Sequence, residues 1–424
     1  MNSTTARSGA AWLLEPLGTV LDADGAGWWY LWRVAVPTLV VSYLSLVRLL
    51  RYRAARRIQT KYAAFAADPY KLDYKQAREI MRGVFLYDMP FLFGFGTQWA
   101  LIKSFGIASG TPLLVATRQL SDPARVGRRA EDTAVFVTEM LVGDIDSARG
   151  RTALARLNWL HGRYRISNGD YVHTLSLFVL EPQRWIARFG WRPLSRLEQA
   201  AILVYWRELG HRMGFGGIPE TVEALREWKR AYEDKHLYFI EANRTVTEAT
   251  LALFLLDTPR PLHGFMRSLF VAFIDEAPVR RALGLPDPPR WAIVLTTSIF
   301  EIQRFVSRHL LLPRLRMRDP LAKEDKHGRF HRGVDYFAFE PWYVADTWYN
   351  RFRTWRRTGG KAVAGEKYQS EGYKQEELGP PGTQNQGLDK VREQAELMQD
   401  YIRRGGSAGV GCPFGHAPGP LDEK

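Results

Sequence analysis

Two short stretches of the chain carry the side chains best suited to chemistry. In the first, Arg129, Asp132 and Thr133 place a cation, an acid and a hydroxyl along one predicted helical ridge. In the second, His161 lies on the apolar face of a helix predicted over residues 151–165. A haem iron requires of its axial ligand an imidazole that points from an apolar face into a cavity. Together the two stretches predict a buried haem site with a polar working group beside it.

Arginines and apolar side chains around these stretches complete the predicted site. Arg156 and Arg163 lie two helical turns apart and could hold the two haem propionates as cations hold carboxylates. Arg165 adds a third cation to this group. Phe136 and Met140 continue the ridge of the first stretch, where they would pack against a flat apolar ligand.

Each half of this constellation also has a simpler explanation. A single histidine on an apolar helix face is more often a core residue whose polar atoms are satisfied within the protein. Glu131 and Asp132, in the first turn of a helix, favour its dipole, and Arg129 can form an ordinary ion pair with either of them. Residue types and spacing alone leave both explanations open.

The remaining sequence has a helical pattern almost throughout. Strand-like alternation joined by Asn-Gly or Asp-Gly hairpins is missing, and no repeat of fixed period is present. Apolar residues recur at three- and four-residue spacing in segments that proline and glycine clusters separate, namely 72–84, 129–143, 151–165, 195–213, 219–235 and 241–256. We therefore predict an all-α fold with a single large helical domain.

The N-terminal region predicts one transmembrane helix. Residues 28–50 are mostly apolar and close to the ~20 residues that a membrane-spanning helix needs. Basic residues from Arg48 to Lys61 follow this run, whereas residues 1–27 carry more acids than bases. The positive-inside rule then places the N-terminus in the lumen and the following domain in the cytosol. A buried amphipathic helix of a soluble domain is the alternative.

These patterns divide the chain into a lumenal segment 1–27, a transmembrane anchor 28–50, a helical domain 51–357 and a polar tail 358–424. Glycine, proline and charged residues dominate the tail, which predicts a flexible segment. A short helix over 388–404 carries an apolar stripe that could dock on the domain or touch membrane. Cys412 is the single cysteine, which excludes an intramolecular disulfide.

The charge of the chain limits its partners. A net charge of +14 suits nucleic acid, anionic lipid or acidic proteins. The sequence has no zinc-finger spacing, RNA-binding signature or long basic block, so we predict no nucleic-acid partner.

Several motifs, in a fixed order, resemble one known family. They are Arg-x-x-Asp-Thr (129–133), Asn-Trp-Leu-His-Gly-Arg-Tyr (158–164), Asn-Gly-Asp-Tyr (168–171), Thr-Leu-Ser-Leu-Phe (174–178), Tyr-Trp-Arg-Glu-Leu-Gly (205–210) and Gly-Ile-Pro (217–219). From about residue 85 to about residue 315, their order and spacing resemble the catalytic domain of the MpaB/rubber oxygenase family, which includes the latex-clearing proteins. The N-terminal anchor is more similar to the fungal, endoplasmic-reticulum-bound MpaB type than to the secreted bacterial latex-clearing proteins.

The resemblance implies specific roles for the site residues. It implies a globin-like helical core that binds haem b, with His161 as the ligand of the haem iron. Arg129 and Thr133 match the polar residues on the opposite side of the haem. Asp132 stands where latex-clearing proteins carry a lysine, and we count Asp132 with Arg129 and Thr133 as catalytic.

The resemblance also implies a reaction and a location. The expected reaction is cleavage by dioxygen of a carbon–carbon double bond in a prenyl or farnesyl chain, in meroterpenoid biosynthesis such as that of mycophenolic acid. The expected location is the endoplasmic reticulum membrane, with a single pass and a cytosolic catalytic domain. The partners would be a prenylated, lipid-like substrate, dioxygen and membrane lipid, with self-association left open.

Two other functions fit the same residues. The first is a noncatalytic helical protein that binds haem or lipid and has lost the activity. The second is a haem hydroxylase or peroxidase that uses the same pocket.

Overall fold

Helices form nearly all of the regular structure over residues 31–406, the part of the chain that the computed structural model describes. The strands found there are β1 (Lys323–Glu324) and β2 (Phe330–His331), which pair antiparallel. The α-helices are α1 Val36–Arg51, α2 Arg53–Lys61, α3 Tyr74–Arg82, α4 Pro90–Ser104, α5 Thr111–Ala116, α6 Pro123–Leu141, α7 Ala148–His161, α8 Asn168–Phe189, α9 Arg196–Arg212, α10 Val222–His236, α11 Glu241–Phe254, α12 His263–Ala272, α13 Ala277–Ala282, α14 Arg290–His309, α15 Trp348–Arg357 and α16 Leu388–Arg403. The prediction of an all-α fold is confirmed.

Local sequence explains where the central helices begin. Ser147, Ser167 and Ser195 cap the starts of α7, α8 and α9, and the hydroxyl of each accepts a backbone N–H from the first turn. Glu198 completes a capping box with Ser195. The six segments with helical periodicity correspond to α3, α6, α7, α9, α10 and α11.

The centre of the domain is the crossing of α4 and α8. A Cβ built on Gly96 of α4 would lie 2.6 Å from Cα of Pro182 in α8, so only glycine permits this approach of the two backbones. Nearby, Lys103 of α4 and Glu181 of α8 form a buried ion pair at 2.9 Å. The two contacts fix the position of α8, on which the candidate site depends.

An aromatic cluster attaches α14 to this crossing. The ring of Phe95 in α4 lies 4.8 Å from that of Trp185 and 5.2 Å from those of Phe273 and Phe300. Phe300 belongs to α14, and its ring also lies 4.9 Å from that of Phe189. Edge-to-face and tilted contacts of this kind hold a helix in one rotational setting.

The N-terminal apolar run is helical and lies outside the core. The helical stretch from Trp32 to Lys61, which includes α1 and α2, is long and apolar enough to cross a membrane. Only 6% of its most apolar 18 residues are buried. The structure therefore does not support the alternative of a buried helix in a soluble domain. Residues 1–27 and Trp28 to Tyr30 lie outside the described residues.

The C-terminal segment corrects one prediction. Between α15 and α16 the chain packs against the domain, with the side chains of Tyr368, Tyr373 and Leu378 buried. The prediction of a flexible segment after Arg357 is therefore wrong for the described part of the tail, because scattered apolar residues give it its own buried contacts. The helix predicted over 388–404 is α16, and its stripe docks on α7. Cys412 lies outside the described residues.

Candidate active site

The predicted site residues lie on two neighbouring helices, α6 and α7. Asp122 caps the start of α6 by accepting the backbone N–H of Ala124. Arg129, Asp132 and Thr133 follow within the first three turns of this helix. His161 is the last residue of α7 and is half-buried.

Arg129 and Thr133 form a bonded pair on α6. Arg129 Nη1 donates to Thr133 Oγ1 at 2.9 Å, and the same hydroxyl donates to the backbone oxygen of Arg129 at 2.8 Å. Burial lowers the pKa of Arg129, while the charge of Asp132 raises it. The pair thus presents a cation and a hydroxyl that each fix the position of the other.

This arrangement differs from the simple ion pair that the sequence left open. Glu131 is fully buried and bonds to Arg332, with Nε of the arginine 2.9 Å from Oε1. Its second carboxylate oxygen accepts the backbone N–H of Ala338 at 2.6 Å. Glu131 is therefore used to hold the segment after β2, and Arg129 bonds to Thr133 instead.

Asp132 faces a different neighbour from Arg129 and Thr133. The hydroxyl of Tyr343 donates to Asp132 Oδ1 at 2.6 Å. Oδ2 is buried without a hydrogen-bond partner, and Nε of Arg128 lies 4.0 Å from it. Burial raises the pKa of Asp132 to about 6, against the opposing effects of Tyr343 and the arginines. The carboxyl group can therefore exchange a proton near neutral pH.

His161 stands at the edge of an aromatic group. Its ring centroid lies 5.6 Å from that of Tyr171 on α8, and Tyr171 stacks on Phe215 at 4.6 Å. Tyr171 and Phe215 are both buried. One side of the imidazole thus faces buried aromatic rings.

The motif around His161 docks three other parts of the chain. Asn158 Nδ2 donates to the backbone oxygen of Arg212 at 2.9 Å, which joins α7 to the end of α9. Trp159 packs closely on Gly387, whose φ of +68° favours glycine. Leu160 contacts Gly379. The three residues before His161 therefore hold α7 against α9 and the C-terminal segment.

Arg156 corrects the prediction that it binds a propionate. Its side chain is fully buried, and Nε, Nη1 and Nη2 donate to the backbone oxygens of Leu378, Gln386 and Thr383 at 2.8, 2.8 and 2.7 Å. The guanidinium is engaged with main-chain carbonyls of the C-terminal segment. Arg156 thus holds this segment on α7 and is not free for a cofactor.

Two of the other predicted cofactor residues are exposed and two are buried. Arg163 is exposed and donates to Oε1 of Gln386 at 2.9 Å, and Arg165 is also exposed. Phe136 and Met140 are buried within the main hydrophobic core. Their roles toward haem stay predictions.

The donor set of the described residues suits a cofactor that brings its own ligands. Among residues 31–406, no three His, Cys, Asp or Glu side chains are grouped as a protein-held metal site would need. A haem iron, in contrast, takes four ligands from the porphyrin and needs one imidazole from the protein. His161 at the end of α7 can supply that imidazole, so the donor set is compatible with haem, and the ligand role of His161 stays a prediction.

Sequence reasoning missed Tyr343, the partner of Asp132. Tyr343 is buried and has a φ of +64°, which is uncommon for a residue other than glycine. The dense aromatic run over 320–356 predicts packing on the core, but not this contact. Tyr171 beside His161 lies in one of the motifs, so that part of the site had a sequence signal.

Comparison with known proteins places these residues in a broader context. Residues 85–307 match the family described as ER-bound oxygenase mpaB/B'/Rubber oxygenase, catalytic domain. The chain is 28% identical over 410 residues to ER-bound oxygenase mpaB' of Penicillium brevicompactum, which covers 90% of this chain and 95% of that protein. It is 30% identical over 262 residues to ER-bound oxygenase mpaB of Penicillium roqueforti (strain FM164), covering 58% of this chain and 88% of that protein.

Replacing Arg156 tests its assignment to the C-terminal segment. We expect Arg156→Met to destabilise the protein by on the order of 3 kcal/mol, because three buried carbonyls lose their charged donor. Hydrogen exchange should rise over residues 378–387. Arg165→Met, which removes an exposed cation just beyond the same helix, should leave exchange there unchanged. Loss of haem with no change in exchange over 378–387 would instead restore the propionate role.

The raised pKa of Asp132 predicts a pH-dependent stability. The folded protein binds the proton with a pKa of about 6, against an ordinary value of 3.8. Protonation of Asp132 therefore stabilises the folded state fully below about pH 4, and this stabilisation is lost as the pH rises to about 6. Relative to the wild type, Asp132→Asn should gain on the order of 2 kcal/mol between these limits. Thermal unfolding of both proteins at pH 4.5 and pH 7 measures this change, and an unchanged difference between them would contradict it.

Proposed function

The chain belongs to the family of ER-bound oxygenases mpaB/B' and rubber oxygenases and is an oxygenase; from this premise we propose that it uses haem b to cleave a carbon–carbon double bond in a prenyl chain. The observation that carries the proposal is that α7, which ends at the imidazole of His161, packs against α6, which carries the bonded pair of Arg129 and Thr133.

The residues that would hold haem follow from the donor set. His161 would ligate the iron, and the exposed Arg163 and Arg165 just beyond α7 would attract the propionates. Phe136 and Met140 would supply apolar contacts for the porphyrin. When bound, haem supplies the iron chemistry that activates dioxygen.

The proposed reaction balances without a further reductant. Both atoms of one dioxygen molecule go to the two carbons of the alkene, the double bond breaks, and two carbonyl groups result. The guanidinium of Arg129 would stabilise negative charge that develops on oxygen. The hydroxyl of Thr133, which donates its proton to the backbone oxygen of Arg129, would hold the guanidinium in place by accepting from Nη1. Asp132 Oδ2 would hold or release a proton, because the pKa of this carboxyl is about 6.

The apolar N-terminal helix supports the proposed substrate and location. A prenylated substrate partitions into lipid, and an enzyme tethered to the membrane meets it there. We propose that α1 crosses the endoplasmic reticulum membrane once, with the catalytic domain in the cytosol. The basic residues of α2 and the names of the relatives, which are called ER-bound, support this location.

Thr133→Val tests the catalytic assignment. We expect the variant to bind haem as the wild type does and to cleave a farnesylated aromatic test substrate with kcat lower by about 100-fold, because Arg129 loses the acceptor that holds its guanidinium in place. The control is Thr152→Val on α7, whose hydroxyl makes the same kind of bond to a preceding backbone oxygen, Ala148 O at 2.9 Å. Carbonyl fragments are quantified by mass spectrometry.

Two results would count against the proposal. Normal turnover by haem-loaded Thr133→Val would remove this hydroxyl from the reaction. Haem-loaded wild-type protein that hydroxylates the test substrate without cleaving it would favour a haem hydroxylase.

A further inference from the structure

Helix α14 turns an apolar face toward solvent. Its exposed side carries large apolar side chains, namely Trp291, Val294, Ile299, Ile302 and Phe305. At 100° per residue, these positions span about 140° of the helix circumference, with the exposed Ser298 among them, and the buried Thr296 and Phe300 lie on the other side. A contiguous apolar surface of this kind marks an interaction site in a soluble domain.

The core prevents α14 from turning this face inward. Phe300 is locked into the aromatic cluster of α4 and α8, with ring centroids 5.2 Å from Phe95 and 5.4 Å from Trp185. On the exposed side, Trp291 stacks on Phe265 of α12 at 5.1 Å, which widens the apolar surface. The surface is therefore a fixed feature of the fold.

The loop after α14 continues the surface and adds positive charge. Residues 310–318 read Leu-Leu-Leu-Pro-Arg-Leu-Arg-Met-Arg, so apolar and basic side chains alternate in its second half. Leu315 is 96% exposed, and Arg314 and Arg316 beside it are exposed too. Apolar side chains beside arginines are typical of segments that enter the lipid interface, where the cations meet anionic head groups.

This loop also contacts the apolar N-terminal helix. The hydroxyl of Tyr43 in α1 donates to the backbone oxygen of Leu310 at 2.7 Å, and the guanidinium of Arg51 donates to that of Leu311. Tyr43 precedes Arg51 by eight residues, which is ~12 Å along the helix. The loop thus lies beside the last two turns of α1, at the end where basic residues indicate the head groups.

We propose that the exposed face of α14 and the loop 310–318 rest in the lipid bilayer. They lie in the leaflet on the side of the membrane where the catalytic domain lies. The occupant of this face is membrane lipid, since the face is continuous with α1 and its basic rim complements anionic head groups. The inference goes beyond the proposed oxygenase function and uses only its membrane anchoring, not its haem chemistry. It describes a domain seated on the membrane rather than tethered above it.

A fluorescent probe at single positions tests the seating. Full-length protein with Cys412→Ser receives one new cysteine at Leu39, Ile302 or Leu397, is labelled with an environment-sensitive dye, and is reconstituted into phosphatidylcholine vesicles with or without doxyl-labelled lipid. Leu39 reports on α1, Ile302 on the proposed face, and Leu397 on α16. Leu397 is the matched control for Ile302, since the two side chains are 52% and 63% exposed.

We expect the labels at positions 39 and 302 to emit at shorter wavelength and to lose most of their emission with doxyl lipid, while the label at 397 behaves as in water. Quenching at 39 but not at 302 would overturn the seating and leave the anchor intact. No quenching at either position would overturn the anchor and the seating together. A shielded label at 302 that doxyl lipid does not quench would also contradict the proposal, since a protein partner would then cover the face.

Discussion

The buried guanidinium of Arg156 is the interaction on which the candidate site most depends. A buried cation is stable only when its donors are satisfied, and here three backbone carbonyls of the C-terminal segment satisfy them. The segment is thereby fastened to α7, and Trp159 and Leu160 pack on its glycines. His161 lies five residues after Arg156, about 140° around the helix. One side of α7 is thus held by the tail while another presents the imidazole.

A second set of buried polar contacts holds α6 against the segment before α15. Glu131 is bonded to Arg332 and Asp132 to Tyr343, so each of two adjacent carboxylates bonds to a residue far along the chain. Because these two side chains are occupied, Arg129 and Thr133 bond to each other on a different side of the helix. The polar part of the site is therefore positioned by Glu131, Arg332 and Tyr343, which take no part in the proposed reaction.

The sequence predicts the helices and the identity of the main site residues, but not what holds them. Helical periodicity and serine caps are local signals, and α7 and α9 begin and end near their predicted bounds. Arg156 has a charge and a position that suit a propionate, yet its partners are main-chain carbonyls 222 or more residues away, which leave no side-chain pattern to read. Tyr343 escaped prediction for the same reason, because its contact with Asp132 spans 211 residues. The polar composition of the tail wrongly predicted a flexible segment, because a few buried tyrosines and leucines are enough to pack it against the domain.

The central claim is that His161 is the protein ligand of a haem iron, and an absorption spectrum tests it most directly. Full-length protein is purified in detergent after expression with ample haem supply, and haem is quantified for the wild type, His161→Ala and His211→Ala. His211 is also half-buried in the last turn of a helix, α9, and serves as the matched control. We predict a Soret band in the wild type and in His211→Ala that is lost or shifted in His161→Ala. A wild-type protein without haem, or an unchanged band in His161→Ala, would contradict the account.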